Sequence, residues 1–171
     1  YVALIAAVFF GFVLYRRSAL GSPHRLESVV SREAGFLLNN EMDDFTAVPG
    51  VPNAFGLIQS RANAIQPGKK PLSSMTPTIL VAGEKPFMVT GSPGGPRIIS
   101  TTLLTILNTI DYGMDPQQAV SAPRFHHQWV PDVLSVEPSI ALDVVEALRR
   151  RGHNAQTGRR EWSAAEAIVI A

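Results

Sequence analysis

The feature that most constrains the fold is the glycine-rich turn Gly91–Pro96, because it joins a segment with the pattern of β-strands to a segment with the pattern of an α-helix. The apolar runs Thr78–Ala82 and Pro86–Thr90 flank Gly83-Glu84-Lys85, which predicts a β-hairpin of two buried strands. The turn Gly91–Pro96 follows the second strand directly, and a helical pattern then runs from Ile98 to Ile110. This order of elements predicts an α/β fold in which the helix packs on the sheet. The apolar stripe of that helix comprises Ile98, Leu103, Leu104, Ile106, Leu107 and Ile110.

Further elements follow from capping and breaker residues. Asp115, followed by proline, predicts the N-cap of a short helix that ends near Ser121. The apolar spacing within Ser139–Arg151 predicts another helix, and Ala165–Ala171 is typical of a strand. Prolines and glycines leave residues 46–70 as loop.

Composition excludes several classes of protein. A chain of 171 residues is expected to form one domain. It has no cysteine, so disulfide bonds cannot contribute to its stability. The 15 basic and 14 acidic side chains give a net charge of +1, which argues against a dedicated nucleic-acid binder. Only 17% of residues are charged, against about 25% on average, which suggests that some apolar surface meets a partner other than water.

The first residues differ from the rest of the chain. Tyr1–Tyr15 is uncharged and is closed by Arg16-Arg17, which predicts a short apolar helix, followed by a linker over residues 16–27. Fifteen residues in a helix cover about 22 Å, less than a bilayer core of about 30 Å, so a membrane span would have to begin before Tyr1. A signal-peptide core and a buried core element are the alternatives. The membrane interpretation predicts a membrane-associated or extracytoplasmic location, although the arginine pair favours a cytoplasmic side for the residues after it.

Three polar clusters are candidate binding sites. Glu41 and Asp44 lie in an acid- and amide-rich run after the apolar residues 36–38, where carboxylates can pair with an ammonium group. Ser73-Ser74 offers two hydroxyl donors for a carboxylate. Gly94-Gly95 lies between a strand and a helix, where backbone N–H groups can bind an anion or oxyanion. Ordinary turns are the alternative interpretation of all three clusters.

Metal and cofactor chemistry have little support in the sequence. His126 and His127 are adjacent, so they point to opposite sides of a strand and cannot both ligate one metal ion from it. We expect hydrogen-bonded structural histidines beside Trp129, and we expect neither a metal nor a cofactor. The phosphate-loop lysine is also missing, because Arg97-Ile98 follows the glycines. A serine-hydrolase elbow, Gly-x-Ser-x-Gly, does not occur either.

Four motifs, taken in order, resemble the small subunit of gamma-glutamyltransferase, also called glutathione hydrolase. They are LLNNEMDDF (37–45), ANAIQPGKKPLSSMTPTI (62–79), TGSPGGPRI (90–98) and APRFHHQWVPD (122–132). The resemblance covers about residues 28–171 and implies an N-terminal-nucleophile hydrolase with a four-layer αββα sandwich. Members of that family cut themselves into two subunits, and the freed Thr attacks the gamma-glutamyl amide of glutathione. The glutamyl group then passes to water or to an acceptor amine.

The resemblance also implies roles for the three clusters. Glu41 and Asp44 would hold the substrate α-ammonium group, and Ser73 and Ser74 would donate to its α-carboxylate. Gly94 and Gly95 would supply the N–H pair of the oxyanion hole. We therefore expect Asp44, both serines and the glycine turn to line one concavity.

The chain also departs from the family pattern. Residues 1–27 match none of the strands that carry the nucleophilic Thr, and the final strand stops short of the family's closing segment. The large subunit, which supplies an Arg to the substrate carboxylate, would be a separate partner. These differences predict an incomplete sandwich over residues 28–171 whose nucleophile lies outside this chain. A membrane-tethered, non-catalytic pseudoenzyme or binding module is the alternative.

Overall fold

A computed structural model describes residues 41–53, 55–162 and 164–170. They fall into two compact units: residues 41–53 with 58–72, and residues 55–57 with 73–170. The predicted apolar helix, the linker and the run at residues 36–38 lie outside the described residues, so those assignments stay predictions. Within the described ranges, no helix has the length and apolar character needed to cross a bilayer.

The first unit is held together by loop contacts. It contains the short 3-10 helices Glu41–Asp44 and Arg61–Asn63, and it has no α-helix in its described part, as predicted for residues 46–70. Thr46 connects the two halves, because its N–H donates to the Asn63 carbonyl at 2.9 Å and its hydroxyl to the Ser60 carbonyl at 2.9 Å. These bonds satisfy buried polar groups of an irregular backbone.

The second unit is α/β. Its strands are β1 (Thr78–Ala82), β2 (Lys85–Gly91), β3 (Phe125–His126), β4 (Leu134–Val136), β5 (Ala155–Thr157) and β6 (Glu166–Val169), and its helices are α1 (Ile98–Ile110), α2 (Pro116–Ser121) and α3 (Leu142–Arg150). The predicted hairpin and short helix are confirmed. The expectation that both strands of the hairpin are buried is wrong for β1, because its neighbours leave Ile79 and Val81 more than half exposed. Asp115 caps α2 by accepting from the Gln118 N–H at 2.8 Å, while the Gln118 side chain accepts from the Asp115 N–H.

Two three-stranded sheets organise this unit. The first sheet has the antiparallel order β1-β2-β6, with Ile79, Val89 and Ile168 in one row across it. In the second sheet, β3 pairs antiparallel with β4, and β4 pairs parallel with β5. Because parallel neighbours need a crossover, α3 joins β4 to β5 and packs on them through Val145.

The buried face of α1 differs from the predicted stripe. The buried residues are Ile98, Thr101, Thr102 and Thr105, at spacings i, i+3, i+4 and i+7, and the helix packs on β2. Leu103 and Ile110 are about half exposed. The stripe is therefore wrong for these two residues. Two of the buried threonines have a partner for the hydroxyl: Thr105 donates to the Thr101 carbonyl at 2.9 Å, and Thr102 lies 3.3 Å from the Thr76 hydroxyl. The Thr101 hydroxyl is buried without a hydrogen-bond partner among the described residues.

The last helix is shorter than predicted. It begins at Leu142 rather than at Ser139, because the chain first turns and the Ile140 N–H donates to the Glu137 carbonyl at 3.1 Å. The final strand, Glu166–Val169, lies within the predicted range.

A buried ion pair, which sequence patterns did not indicate, connects β3 and β4. The fully buried Glu137 carboxylate accepts from the Arg124 guanidinium at 3.3 Å, from the Arg124 N–H at 2.8 Å and from the Trp162 N–H at 3.0 Å. Burial raises the pKa of Glu137, whereas these three donors favour its charged form.

Candidate functional site

The glycine turn at the start of α1 adopts a backbone that only glycine takes up readily. Gly94 has a φ of 137° and Gly95 a φ of 58°, and the 3-10 helix Gly95–Arg97 leads directly into α1. The Arg97 N–H donates to the Gly94 carbonyl at 3.2 Å and closes the turn. The N–H groups at the start of a helix have no intrahelical acceptor, so this turn can present two donors to a ligand.

The serine pair and the glycine turn meet in the second unit. The Ser74 hydroxyl donates to the Gly95 carbonyl at 2.9 Å, although 21 positions separate the two residues. The Ser73 hydroxyl oxygen accepts from the Met75 N–H at 3.2 Å, which leaves the Ser73 proton available to a ligand. Ser74 thus orients the turn, and Ser73 is the freer donor.

An aromatic ring closes one side of the turn. A Cβ atom added at Gly95 would lie 2.7 Å from Cδ1 of Phe55, well inside van der Waals contact. The ring therefore occupies the space where any other residue at position 95 would place its side chain.

This contact yields a matched pair of variants. Gly95→Ala should lose about 1–3 kcal/mol more stability than Gly113→Ala, because only the former adds a close contact to the backbone strain. Gly113 is a suitable control, since its φ is 63° and an added Cβ would meet nothing within 4 Å. Urea denaturation of both variants measures the difference. Equal losses would show that the Phe55 ring moves aside at no cost.

The acidic cluster lies in the first unit. Glu41 and Asp44 bound a single 3-10 turn, and the Asn63 side-chain amide donates to the Asp44 carbonyl at 2.7 Å, which holds the end of this turn. Their expected position in one concavity with Ser73, Ser74 and the glycine turn stays a prediction.

The two histidines are hydrogen-bonded, as predicted. His126 is buried and lies 2.8 Å from the Ser100 hydroxyl through Nδ1, while His127 Nε2 lies 2.9 Å from an Asp132 carboxylate oxygen. The Trp129 N–H donates to His127 at 3.2 Å. In the described part of the chain, no group of three or more His, Asp or Glu residues could hold a metal ion.

Two contacts near the turn carry no local sequence signal. Ser100 reaches His126 across 26 positions, and the Arg97 guanidinium lies over the Trp162 ring, 4.6 Å from its centroid. Their residue types alone could have marked Arg97 and Trp162 as candidates for a cation–π contact, but nothing in the sequence indicates that they contact each other.

The curated proteins similar in sequence to this chain include several glutathione hydrolase proenzymes. The chain is 55% identical over 124 residues to the glutathione hydrolase proenzyme of Escherichia coli (strain K12). The aligned segment covers 72% of this chain and 21% of that protein. The chain is 41% identical over 136 residues to the glutathione hydrolase proenzyme of Bacillus subtilis (strain 168), covering 80% of this chain and 21% of that protein. The chain thus spans about a fifth of the length of these relatives.

Solved structures agree with this result. A mutant of Helicobacter pylori gamma-glutamyltranspeptidase superposes with a TM-score of 0.77 at 50% identity, covering 82% of this chain and 76% of that one. The enzyme from Pseudomonas nitroreducens complexed with L-DON gives 0.75 at 39% identity, covering 84% and 76%. The sequence model described as Gamma-glutamyltranspeptidase matches residues 27–171. The α/β fold, the ordered motifs and these matches together show that the chain belongs to the gamma-glutamyltranspeptidase family.

Proposed function

We propose that this chain binds the gamma-glutamyl group of a substrate such as glutathione and supplies the oxyanion hole for its transfer to water or an acceptor amine. The nucleophilic Thr of the family would lie outside these 171 residues. The observation that carries the proposal is the turn at Gly94 and Gly95, whose φ values are 137° and 58°. The Ser74 hydroxyl donates a hydrogen bond to the Gly95 carbonyl of this turn.

The turn suits the chemistry of amide attack. When a nucleophile adds to the gamma-glutamyl carbonyl, negative charge develops on its oxygen, and two backbone N–H groups aimed at that oxygen stabilise it. Removing one such donor costs about 2.7–4 kcal/mol of transition-state stabilisation in a comparable enzyme. Because the bond from Ser74 holds the Gly95 peptide in place, the donors would need little reorganisation during the reaction.

The remaining residues would hold the two charged ends of the glutamyl group. Glu41 and Asp44 would pair with the α-ammonium, and Ser73 with the α-carboxylate through charge-assisted hydrogen bonds. Ser74 would join Ser73 only after its hydroxyl rotates away from the Gly95 carbonyl, since a hydroxyl has one proton to donate. We therefore assign the larger share of carboxylate binding to Ser73.

The partner of this chain would be the rest of a family polypeptide, the large subunit. Apolar side chains that are about half exposed support this assignment, because monomeric proteins rarely leave such clusters in water. One group lies on α1, at Ile99, Leu103 and Ile110, and the other is the row on the first sheet, at Ile79, Val89 and Ile168. Membrane contact through residues 1–15 stays a prediction about residues outside those described.

Ligand titration of the whole chain, followed by NMR, tests the proposal. Glutathione should shift the amide signals of Gly94 and Gly95, whereas cysteinylglycine, which lacks the gamma-glutamyl group, should not. Ser73→Ala should weaken glutathione binding by at least about tenfold, because a hydrogen bond to a charged group contributes about 1.5–3 kcal/mol. Asp44→Asn should weaken it comparably.

Ser139→Ala is the matched control, because Ser139 is an exposed turn serine in the second unit. It should bind glutathione as the unchanged chain does. Equal shifts with both peptides, or unchanged affinity in Ser73→Ala, would contradict the assigned site.

A further inference from the structure

A chain of hydrogen bonds determines which nitrogen of His126 carries the proton. The Gln128 amide nitrogen donates to the Val130 carbonyl at 3.2 Å, so the Gln128 amide oxygen faces Nε2 of His126, also at 3.2 Å. That oxygen can only accept, and Nε2 of the neutral ring must therefore carry the hydrogen. Nδ1 is then an acceptor, and the Ser100 hydroxyl, 2.8 Å away, donates to it.

The Ser100 hydroxyl has a second acceptor within reach. The Arg97 carbonyl oxygen lies 3.1 Å from the same hydroxyl oxygen. When His126 is protonated, both ring nitrogens donate, so Ser100 must accept from Nδ1 and turn its own proton to Arg97. The protonation state of the ring thus sets the direction of the Ser100 hydroxyl.

Arg97 connects this hydroxyl to the glycine turn. It is the last residue of the 3-10 helix that begins at Gly95, and its N–H donates to the Gly94 carbonyl at 3.2 Å. A bond from Ser100 to the Arg97 carbonyl therefore acts on the residue that closes the turn. Ser74 contacts the same turn by donating to the Gly95 carbonyl.

We infer that His126 is a positioning residue that controls the Gly94–Gly95 turn through Ser100 and Arg97. Its importance for activity rests on the proposed function, whereas the hydrogen-bond relay itself rests on the contacts above. When His126 is neutral, the Ser100 hydroxyl donates to the ring and not to Arg97. When His126 is protonated, the Ser100 hydroxyl donates to the Arg97 carbonyl, at the end of the turn.

The surroundings of His126 place this change in a defined pH range. Burial lowers the pKa of His126 below its ordinary value of 6.5, the bond to Gln128 opposes this, and the charges of Arg97 and His127 lower it further. The unfolded chain therefore binds the proton at a higher pH than the folded one. Stability contributed by neutral His126 is present above 6.5 and is lost as the pH falls through the folded pKa.

NMR titration of the full chain without ligand tests the relay. The ring signals of His126 should report the Nε2–H tautomer at neutral pH and a midpoint below 6.5. The amide signals of Gly94 and Gly95 should shift with that same midpoint. Ser100→Ala should reduce the glycine shifts at least fivefold while His126 still titrates, and Ser100→Thr, which keeps a hydroxyl, should retain them.

His127→Gln is the control, because His127 pairs with Asp132 and stands outside the relay. It should leave the glycine shifts coupled to the His126 titration and raise only the shared midpoint, because the charge of His127 no longer lowers the pKa of His126. The inference is overturned if the glycine signals of the unchanged chain do not share the His126 midpoint, or if Ser100→Ala responds as the unchanged chain does. Adding glutathione afterwards separates the two proposals: a coupled titration without glutathione binding would remove the proposed function and leave the relay.

Discussion

Replacing Glu137 by alanine is expected to lower the free energy of unfolding by about 3–5 kcal/mol, the usual cost of removing one partner of a buried ion pair. The carboxylate is fully buried and accepts from the Arg124 guanidinium and from the N–H groups of Arg124 and Trp162. Its loss would leave a buried cation and two unpaired donors, in addition to a cavity. Urea denaturation at neutral pH, followed by tryptophan fluorescence, measures the change.

An exposed acid in the same unit provides the control. Glu146 lies 3.9 Å from Arg150 on α3, and both side chains are mostly exposed. Glu146→Ala should change the free energy of unfolding by about 0–1 kcal/mol, because such surface pairs contribute little. A loss for Glu137→Ala no greater than that of Glu146→Ala would show that the buried pair does not hold β3 and β4 together.

Glutamate release from glutathione by the purified 171-residue chain is expected to equal the buffer blank. The proposed oxyanion turn and the serine proposed to bind the carboxylate would orient a glutamyl group, but a covalent route also needs an activated nucleophile. Without one, a triad enzyme retains only about 10³–10⁴-fold catalysis over water. Because uncatalysed amide hydrolysis is extremely slow, such a residual rate stays below what a glutamate-release assay separates from the blank. A chromogenic gamma-glutamyl anilide provides a sensitive measurement.

Two serine variants show how this prediction can fail. A rate within tenfold of an intact relative that disappears in Ser74→Ala would place the nucleophile at Ser74. Loss of such a rate in Ser100→Ala, together with a covalent glutamyl adduct on Ser100 in mass spectrometry, would instead identify the Ser100–His126 pair, whose 2.8 Å contact has the geometry of a nucleophile and its base. A blank rate together with glutathione binding would leave the chain as the glutamyl-binding part of a larger enzyme, or as a binding module.

The local elements followed from the sequence because their causes are local. The apolar runs on either side of Gly83 specify the hairpin, and Asp115 before a proline specifies the start of α2. The order of the four motifs also sufficed to identify the family, and their polar residues to nominate Asp44, Ser73 and the glycine turn as a site.

Only the tertiary structure decided which faces and partners these elements use. Periodicity shows that α1 is a helix, but the sheet buries the face with Thr101 and Thr105, because that face packs on β2. The bonds from Ser74 to Gly95, from Ser100 to His126 and from Arg124 to Glu137 join residues 13 to 26 positions apart. Local propensity contains no information about such pairs, since their energy depends on burial and on geometry that exists only once the sheets have formed.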